Sequence, residues 1–168
     1  VALPGGAYVI RDDYKSPIET VDAALDVLAD VPAERRVVVL GDVEEPMEDA
    51  SILYGRVGKR VSEVADRAIY MHHYGHGPRY TTTTSLPAEM VVDAKTGLRE
   101  ALEAVRADLR PGDVVLVKGG HEQRLDRVAL ALAGRDVRCE VRVCGARATR
   151  CETCPMLERG WGNARVVI

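Results

Sequence analysis

Phenylalanine is absent from this 168-residue chain, and Trp161 is its only tryptophan. Aliphatic side chains must therefore fill whatever core it builds. A surplus of positive charge is lacking too. The formal net charge is −3, which argues against a nucleic-acid module, a class that is usually strongly basic. No apolar run approaches the ~20 residues that a membrane-spanning helix needs, so no membrane partner is expected. No basic segment followed by an apolar stretch opens the chain, so no secretory signal is expected and the cytoplasm is the expected compartment. The first residue is Val1 rather than methionine. The expectation is a processed protein or, in preference, a piece cut from a longer one.

What remains is a globular composition. Hydrophobic residues make up 46% and charged residues 29%, and the length suits one domain around one core.

Strand-like and helix-like patterns alternate along the chain. Ala7–Arg11 reads as a short buried strand. Pro17 then opens a helical pattern, with Val21, Ala24, Leu25 and Leu28 on one face. Arg36–Asp42 is a continuous β-branched run of the kind that fills a central parallel strand. Ile52–Val64 is a predicted helix with Leu53, Val57, Val61 and Val64 inward. Ala68–His72 and Glu89–Asp93 read as strands, and Lys95–Leu109 as a helix with Leu98, Ala101, Leu102 and Val105 inward. After a Pro111–Asp113 turn, Val114–Lys118 is another buried strand, followed by a predicted helix over Glu122–Leu132. Val137–Val143 alternates with period two, as an edge strand would. The expected fold class is α/β: a Rossmann-like, doubly wound, mostly parallel sheet with helices on both faces, plus a Cys-rich C-terminal appendage. The expected boundary divides residues 1–136 from residues 137–168.

Ligands in such sheets sit beyond the carboxyl ends of the strands, which singles out four loops. In Arg11–Pro17, Asp13 suits sugar hydroxyls, Tyr14 a base and Lys15 a phosphate. The plainer reading is a charged turn in which Ser16 caps the next helix. In Leu40–Glu48, Gly41 permits a sharp turn. Asp42, Glu44, Glu45 and Glu48 suit a metal or an amino group there, or form a solvated acidic loop. His72, His73 and His76 suit zinc or nickel by residue type, but not by helical spacing. In the fourth loop Lys118 ends a buried strand, where its charged head is expected to emerge at the sheet edge. Gly119 and Gly120 expose backbone amides, and a helix expected to begin near His121 would turn its positive end to the same place. The Walker pattern G-x4-G-K-[ST] is missing, and Gly55–Arg60 has the wrong spacing within a helical stretch. No G-x-G-x-x-G follows the first strand, which counts against a free-standing dinucleotide-binding domain.

The cysteines gather near the end: Cys139, Cys144, Cys151 and Cys154, spaced C-x4-C-x6-C-x2-C. Four thiolates at such spacing are expected as ligands of a structural Zn2+. Disulfides, unpaired thiols and, less readily, an iron–sulfur cluster stay open beside it. A C-x2-C pair also suits redox chemistry, but the strand and long helix of a thioredoxin context do not flank it.

Three segments in order resemble the C-terminal domain of the Mur ligase family. The nearest branch adds D-alanyl-D-alanine to UDP-N-acetylmuramoyl-tripeptide. "RDDYKSPIETVDAALDVL" is similar to its "DDSYNANP" followed by "AAL..L". "VVVLGDVEEPME" is similar to "VLGDMLELG", and "PGDVVLVKGGHEQRLDRV" to "PGDVVLVKGSRGMRLERV". The agreement runs from about Tyr8 to Leu132. Departures are Lys15 and Ser16 in place of asparagines, Tyr54 in place of a histidine and His121 in place of an arginine.

The resemblance implies a Rossmann-like third domain of an ATP-dependent amide ligase of peptidoglycan precursor synthesis, inactive alone. Its partners would be the N-terminal and central domains of the same ligase, the central one holding ATP and Mg2+. A UDP-linked peptide precursor and an amino acid or dipeptide would be its substrates. By position, Asp13, Tyr14, Lys15 and Ser16 would lie near the nucleotide. Gly41, Asp42, Lys118, Gly119, Gly120, His121 and Glu122 would border the incoming amine. The rival reading is a Mur-derived binding or assembly module without ligase chemistry, whose four-cysteine tail binds metal and docks a partner.

Overall fold

The computed structural model describes residues 1–73, 83–146 and 148–161. Five parallel strands form one sheet: β1 (Tyr8–Asp12), β2 (Arg36–Leu40), β3 (Arg67–Met71), β4 (Val91–Lys95) and β5 (Val114–Lys118). Their order across the sheet is β1-β5-β2-β3-β4. The chain walks from β1 to β4 in one direction and then returns to insert β5 between β1 and β2. That reversal leaves the loops after β1, β2 and β5 side by side at the carboxyl edge.

Helices α1 (Ile18–Asp30), α2 (Ala50–Val64), α3 (Leu98–Arg106) and α4 (Asp126–Leu132) cover the sheet. Alternate strand residues feed opposite faces. Val38, Leu40, Ala68, Tyr70, Val114 and Leu116 pack with α1 and α2. Val9, Val37, Val39, Ile69, Met71, Val115 and Val117 pack with α3 and α4. The inward stripes of α1 and α3 are the expected ones. In α2, Tyr54 and Gly58 join Leu53, Val57 and Val61 in the interior, while Val64 is only partly buried. Asp49 caps α2 by accepting from the Ser51 amide at 2.8 Å.

Two expectations need correction. Helix α4 begins at Asp126, not near Glu122. Residues 121–125 form turns, and Arg124 takes a left-handed φ of 54° that helical propagation does not allow. Val137–Val143 is not a strand. The Arg127 guanidinium captures the carbonyls of Cys139 at 2.7 Å and Val141 at 2.8 Å, and the amides of Arg138 and Cys139 both donate to Leu157 O. Those groups are thereby taken out of any sheet ladder.

The tail then turns back onto the body. It forms a short turn at Cys151–Thr153 and a short helix α5 (Met156–Arg159), with Cys151 and Leu157 packed against Leu130 of α4. Among the described residues no helix is long and apolar enough to cross a membrane.

Candidate functional site

A cavity of about 860 Å³ opens at the carboxyl edge of the sheet, over β1, β5 and β2. Tyr14, Lys15 and Pro17 line it from the first loop, residues 42–46 from the second and residues 120–123 from the fourth. Tyr54 of α2, His73 after β3 and Val143 of the tail complete the wall. Tyr14 is largely exposed at the rim, and its ring centroid lies 6.0 Å from that of His121.

Gln123 ties these loops together. Its Oε1 accepts from the Asp42 amide at 2.8 Å, and its Nε2 faces Asp42 Oδ2 at 3.2 Å, Met71 O at 3.2 Å and His73 Nδ1 at 3.0 Å. An amide nitrogen has two protons for these three acceptors, so they are shared. Asp42 Oδ2 also accepts from the His73 amide at 2.8 Å. His73 Nε2 lies 2.5 Å from Arg142 O and must donate to it, which leaves Nδ1 as the acceptor for Gln123. Burial holds the His73 imidazole below its ordinary pKa, against the upward pulls of Arg142 O and Asp42. The neutral ring therefore fits this network.

Glu44 makes a second tie. Its Oε2 accepts from the Ser16 amide at 2.7 Å, while its own amide donates to Ser16 O at 2.8 Å. Two glycines are required by close approach. A Cβ on Gly41 would overlap Gln123 Oε1 and lie 3.1 Å from Leu125 Cδ1, and one on Gly120 would lie 2.6 Å from Glu44 Cδ. Among the described residues, Asp42, Glu44, Glu45 and Glu122 give the lining four carboxylates against one lysine, Lys15, and no arginine. Such a lining favours a ligand with an ammonium group.

Of the residues singled out by sequence, Tyr14, Lys15, Asp42, Gly120, His121 and Glu122 meet at this cavity. Gly41 and Gly119 lie just behind it, each against Leu125. Lys118 does not emerge at the edge. It shares strand parity with Val114 and Leu116, so it points under α1 and is fully buried. Its Nζ lies 2.9 Å from Thr20 Oγ1 and 3.0 Å from Asp12 Oδ2, and it also donates to Lys15 O. Asp13 turns away from the cavity to Arg11, at 2.9 Å, and Arg11 in turn pairs with Glu152 of the tail. Burial holds the Asp13 carboxyl above its ordinary pKa, despite Arg11. Ser16 is buried and caps nothing, because Pro17 occupies the position before α1.

The helix-end anion site expected at Gly119–Gly120 is not built, because α4 starts beyond it. His72 is committed to Asp93 at 2.7 Å and His73 to the Gln123 network, while His76 lies outside the described residues. Among the described residues no three His, Cys, Asp or Glu side chains are drawn together to hold a metal ion. The closed four-thiolate site expected at Cys139, Cys144, Cys151 and Cys154 is therefore not preformed, and all four are free thiols. Glu48 pairs with Arg56 at 2.9 Å. The Gly55–Arg60 segment lies within α2, as its pattern suggested.

Sequence reasoning did not single out Gln123, Tyr54 as a wall residue, or Val143. A glutamine three residues past a glycine pair carries no distinguishing signal. Val143 reaches the cavity only because the tail folds back.

The family described as "Mur ligase, glutamate ligase domain" matches residues 1–121. UDP-N-acetylmuramoyl-tripeptide–D-alanyl-D-alanine ligases of Mycobacterium bovis and Mycobacterium tuberculosis are 31% identical to the chain, over 82% of its length and 31% of theirs. The Synechocystis enzyme of that name is 23% identical, over 74% of the chain and 27% of its own length. The chain thus spans less than a third of the curated relatives it matches. The crystal structure of the MurF ligase from Thermotoga maritima in complex with ADP superposes with a TM-score of 0.64. It does so at 18% identity, over 76% of the chain and 28% of that structure, which is a likeness of fold.

Proposed function

The chain belongs to the Mur ligase family, and on that footing we propose that it is the C-terminal domain of a cytoplasmic ATP-dependent amide ligase acting on peptidoglycan precursors. Residues 1–136 would be the ligase-type domain, and residues 137–168 an addition to it. The supporting observation is the cavity at the carboxyl edge. Its wall is made by the three segments that carry the family's motifs, brought together by the insertion of β5 between β1 and β2.

In this reading Tyr14 and Lys15 at the rim contact the nucleotide. Asp42, Gly120, His121 and Glu122 receive the incoming amine component. The lining's carboxylates suit the ammonium group of an amino acid or dipeptide, with D-alanyl-D-alanine suggested by the names of the relatives. ATP with Mg2+, held mainly by a central domain, would activate the carboxylate of a UDP-linked peptide. This chain's residues would bind and orient the attacking amine and exclude water. The chain has no Walker motif of its own and is expected to be inactive alone.

The test is resonance mapping on the isotope-labelled chain, with ADP and with D-alanyl-D-alanine at millimolar concentration. Shifts confined to residues 14–15, 42–45 and 120–123 are expected, with no ATP turnover. The proposal fails if neither ligand perturbs these residues. Turnover by the chain alone would overturn the requirement for a second domain.

A further inference from the structure

All four cysteines line a second cavity, of about 160 Å³, whose wall shares no residue with that of the first. It lies where the tail folds back on α4, and two arginines, Arg124 and Arg127, share its wall. Backbone bonds already fix Cys139, Cys144 and Cys151 to the body, and Cys154 to Cys151. The Cys144 amide donates to Glu122 O at 3.2 Å and the Cys151 amide to Asp126 Oδ2 at 3.3 Å. The Cys154 amide donates to Cys151 O at 3.1 Å, closing the turn between that pair. Cys139 O accepts from Arg127 Nη1 at 2.7 Å, and its Sγ lies 3.6 Å from the same nitrogen.

The charges around this cavity are unbalanced. Arg124 is 4% exposed and Arg127 3%. Arg127 donates to the carbonyls of Gln123, Arg124, Cys139 and Val141, and Arg124 to Ala146 O. Neither arginine forms an ion pair among the described residues. Asp126 is the nearby buried carboxylate, one negative charge against two guanidinium groups. Buried charge of one sign is costly unless an opposite charge meets it. Four thiolates around one divalent cation carry a net charge of −2, which would meet the guanidinium charge that Asp126 leaves unopposed.

We propose that this cavity is a structural site for one soft divalent cation, zinc by preference, closed by the thiolates of Cys139, Cys144, Cys151 and Cys154. The ligand set is not closed in the structure described here, so the ion itself draws the sulfurs in. Aqueous Zn2+ exchanges its water for four Zn–S bonds, the four thiol protons pass to solvent, and no electrons move. Closure then fastens the tail to α4, and with it Val143 to the wall of the first cavity.

The test uses the reduced chain, with Zn2+ and with Cd2+ as a spectroscopic probe. One metal per chain is expected, with a cadmium–thiolate absorption band and all four thiols masked until a chelator is added. Cys144→Ser and Cys154→Ser remove the half-buried cysteines, where loss of fold is least expected. With an unchanged circular dichroism spectrum, each should weaken Cd2+ binding by at least about tenfold. The proposal is overturned by fewer than four masked thiols, by no stoichiometric binding, or by variants that bind as tightly as the parent. Iron with acid-labile sulfide in the purified chain would overturn it in favour of a cluster.

Discussion

Asp42 and Gln123 hold each other in both directions: the Asp42 amide donates to Gln123 Oε1 at 2.8 Å, and Gln123 Nε2 donates to Asp42 Oδ2 at 3.2 Å. Both residues are buried, and the pair joins the ends of β2 and β5, residues 81 apart in sequence. Through His73 and Met71 O the same clasp reaches β3. The cavity floor is therefore a set of polar ties between loops rather than packed hydrocarbon.

Gln123→Ala should destabilise the chain by about 1–3 kcal/mol, because it leaves the Asp42 amide and His73 Nδ1 without this partner in a buried place. Gln123→Glu should be at least as harmful near neutral pH, since a second carboxylate would face Asp42 Oδ2. Urea unfolding of both variants is the measurement. Midpoints equal to the parent's would show that the clasp carries no stability.

Gly41→Ala should act through the same residue. Its Cβ would displace the Gln123 carboxamide, at a cost of about 1–3 kcal/mol. Once Gln123 is already alanine, the obstruction is smaller. The double variant should therefore lose less than the sum of the single losses, by more than about 0.5 kcal/mol. Additive losses in a double-mutant cycle would mean that Gly41 serves another purpose.

His73 should make stability depend on pH. Burial depresses its pKa in the fold, whereas the unfolded chain takes up the proton near the ordinary value of about 6.5. The contribution is fully present above that value and is lost as pH falls towards the folded pKa, because only the unfolded state gains a proton in that window. Melting temperatures of the parent and His73→Gln should therefore converge as pH falls below about 6.5. Parallel curves would remove His73 from the account.

Lys118→Met separates a structural role from a ligand role. The ammonium group faces Asp12, Thr20 and Lys15 O beneath α1 rather than the cavity. The variant should lose about 1–3 kcal/mol of stability and leave ligand affinity at residues 14–15 and 120–123 unchanged. A large loss of affinity at unchanged stability would place the lysine in the site.

Much of the layered architecture was legible in the chain. The β-branched runs at Arg36–Leu40 and Val114–Lys118 read as buried parallel strands because both of their faces must be apolar. The stripes of α1 and α3 read as helices because 3.6-residue spacing places their apolar residues on one side. Lys118 was misjudged, although strand parity alone puts it with Val114 and Leu116. The expectation that its charge must surface overlooked the partners that α1 and β1 supply.

The start of α4 was not legible. Its apolar pattern extends back towards Glu122, and nothing local marks Arg124 as the residue that turns left-handed. The tail misled for a similar reason. Val137–Val143 alternates as a strand does, but a buried guanidinium from α4 takes its carbonyls first.

The sequence by itself determined the buried β-branched runs of β2 and β5 and the inward stripes of α1 and α3, because burial there follows a periodicity that each segment carries locally. It also determined the family, through three motifs in order. The tertiary structure alone decided that those motifs share one cavity, since β5 must first be inserted between β1 and β2. It alone decided that Gln123 ties the loops together, that Asp13 pairs with Arg11, and that four cysteines and two buried arginines meet at one cavity. Contacts between segments far apart in the chain depend on how the layers pack, and no local pattern records them.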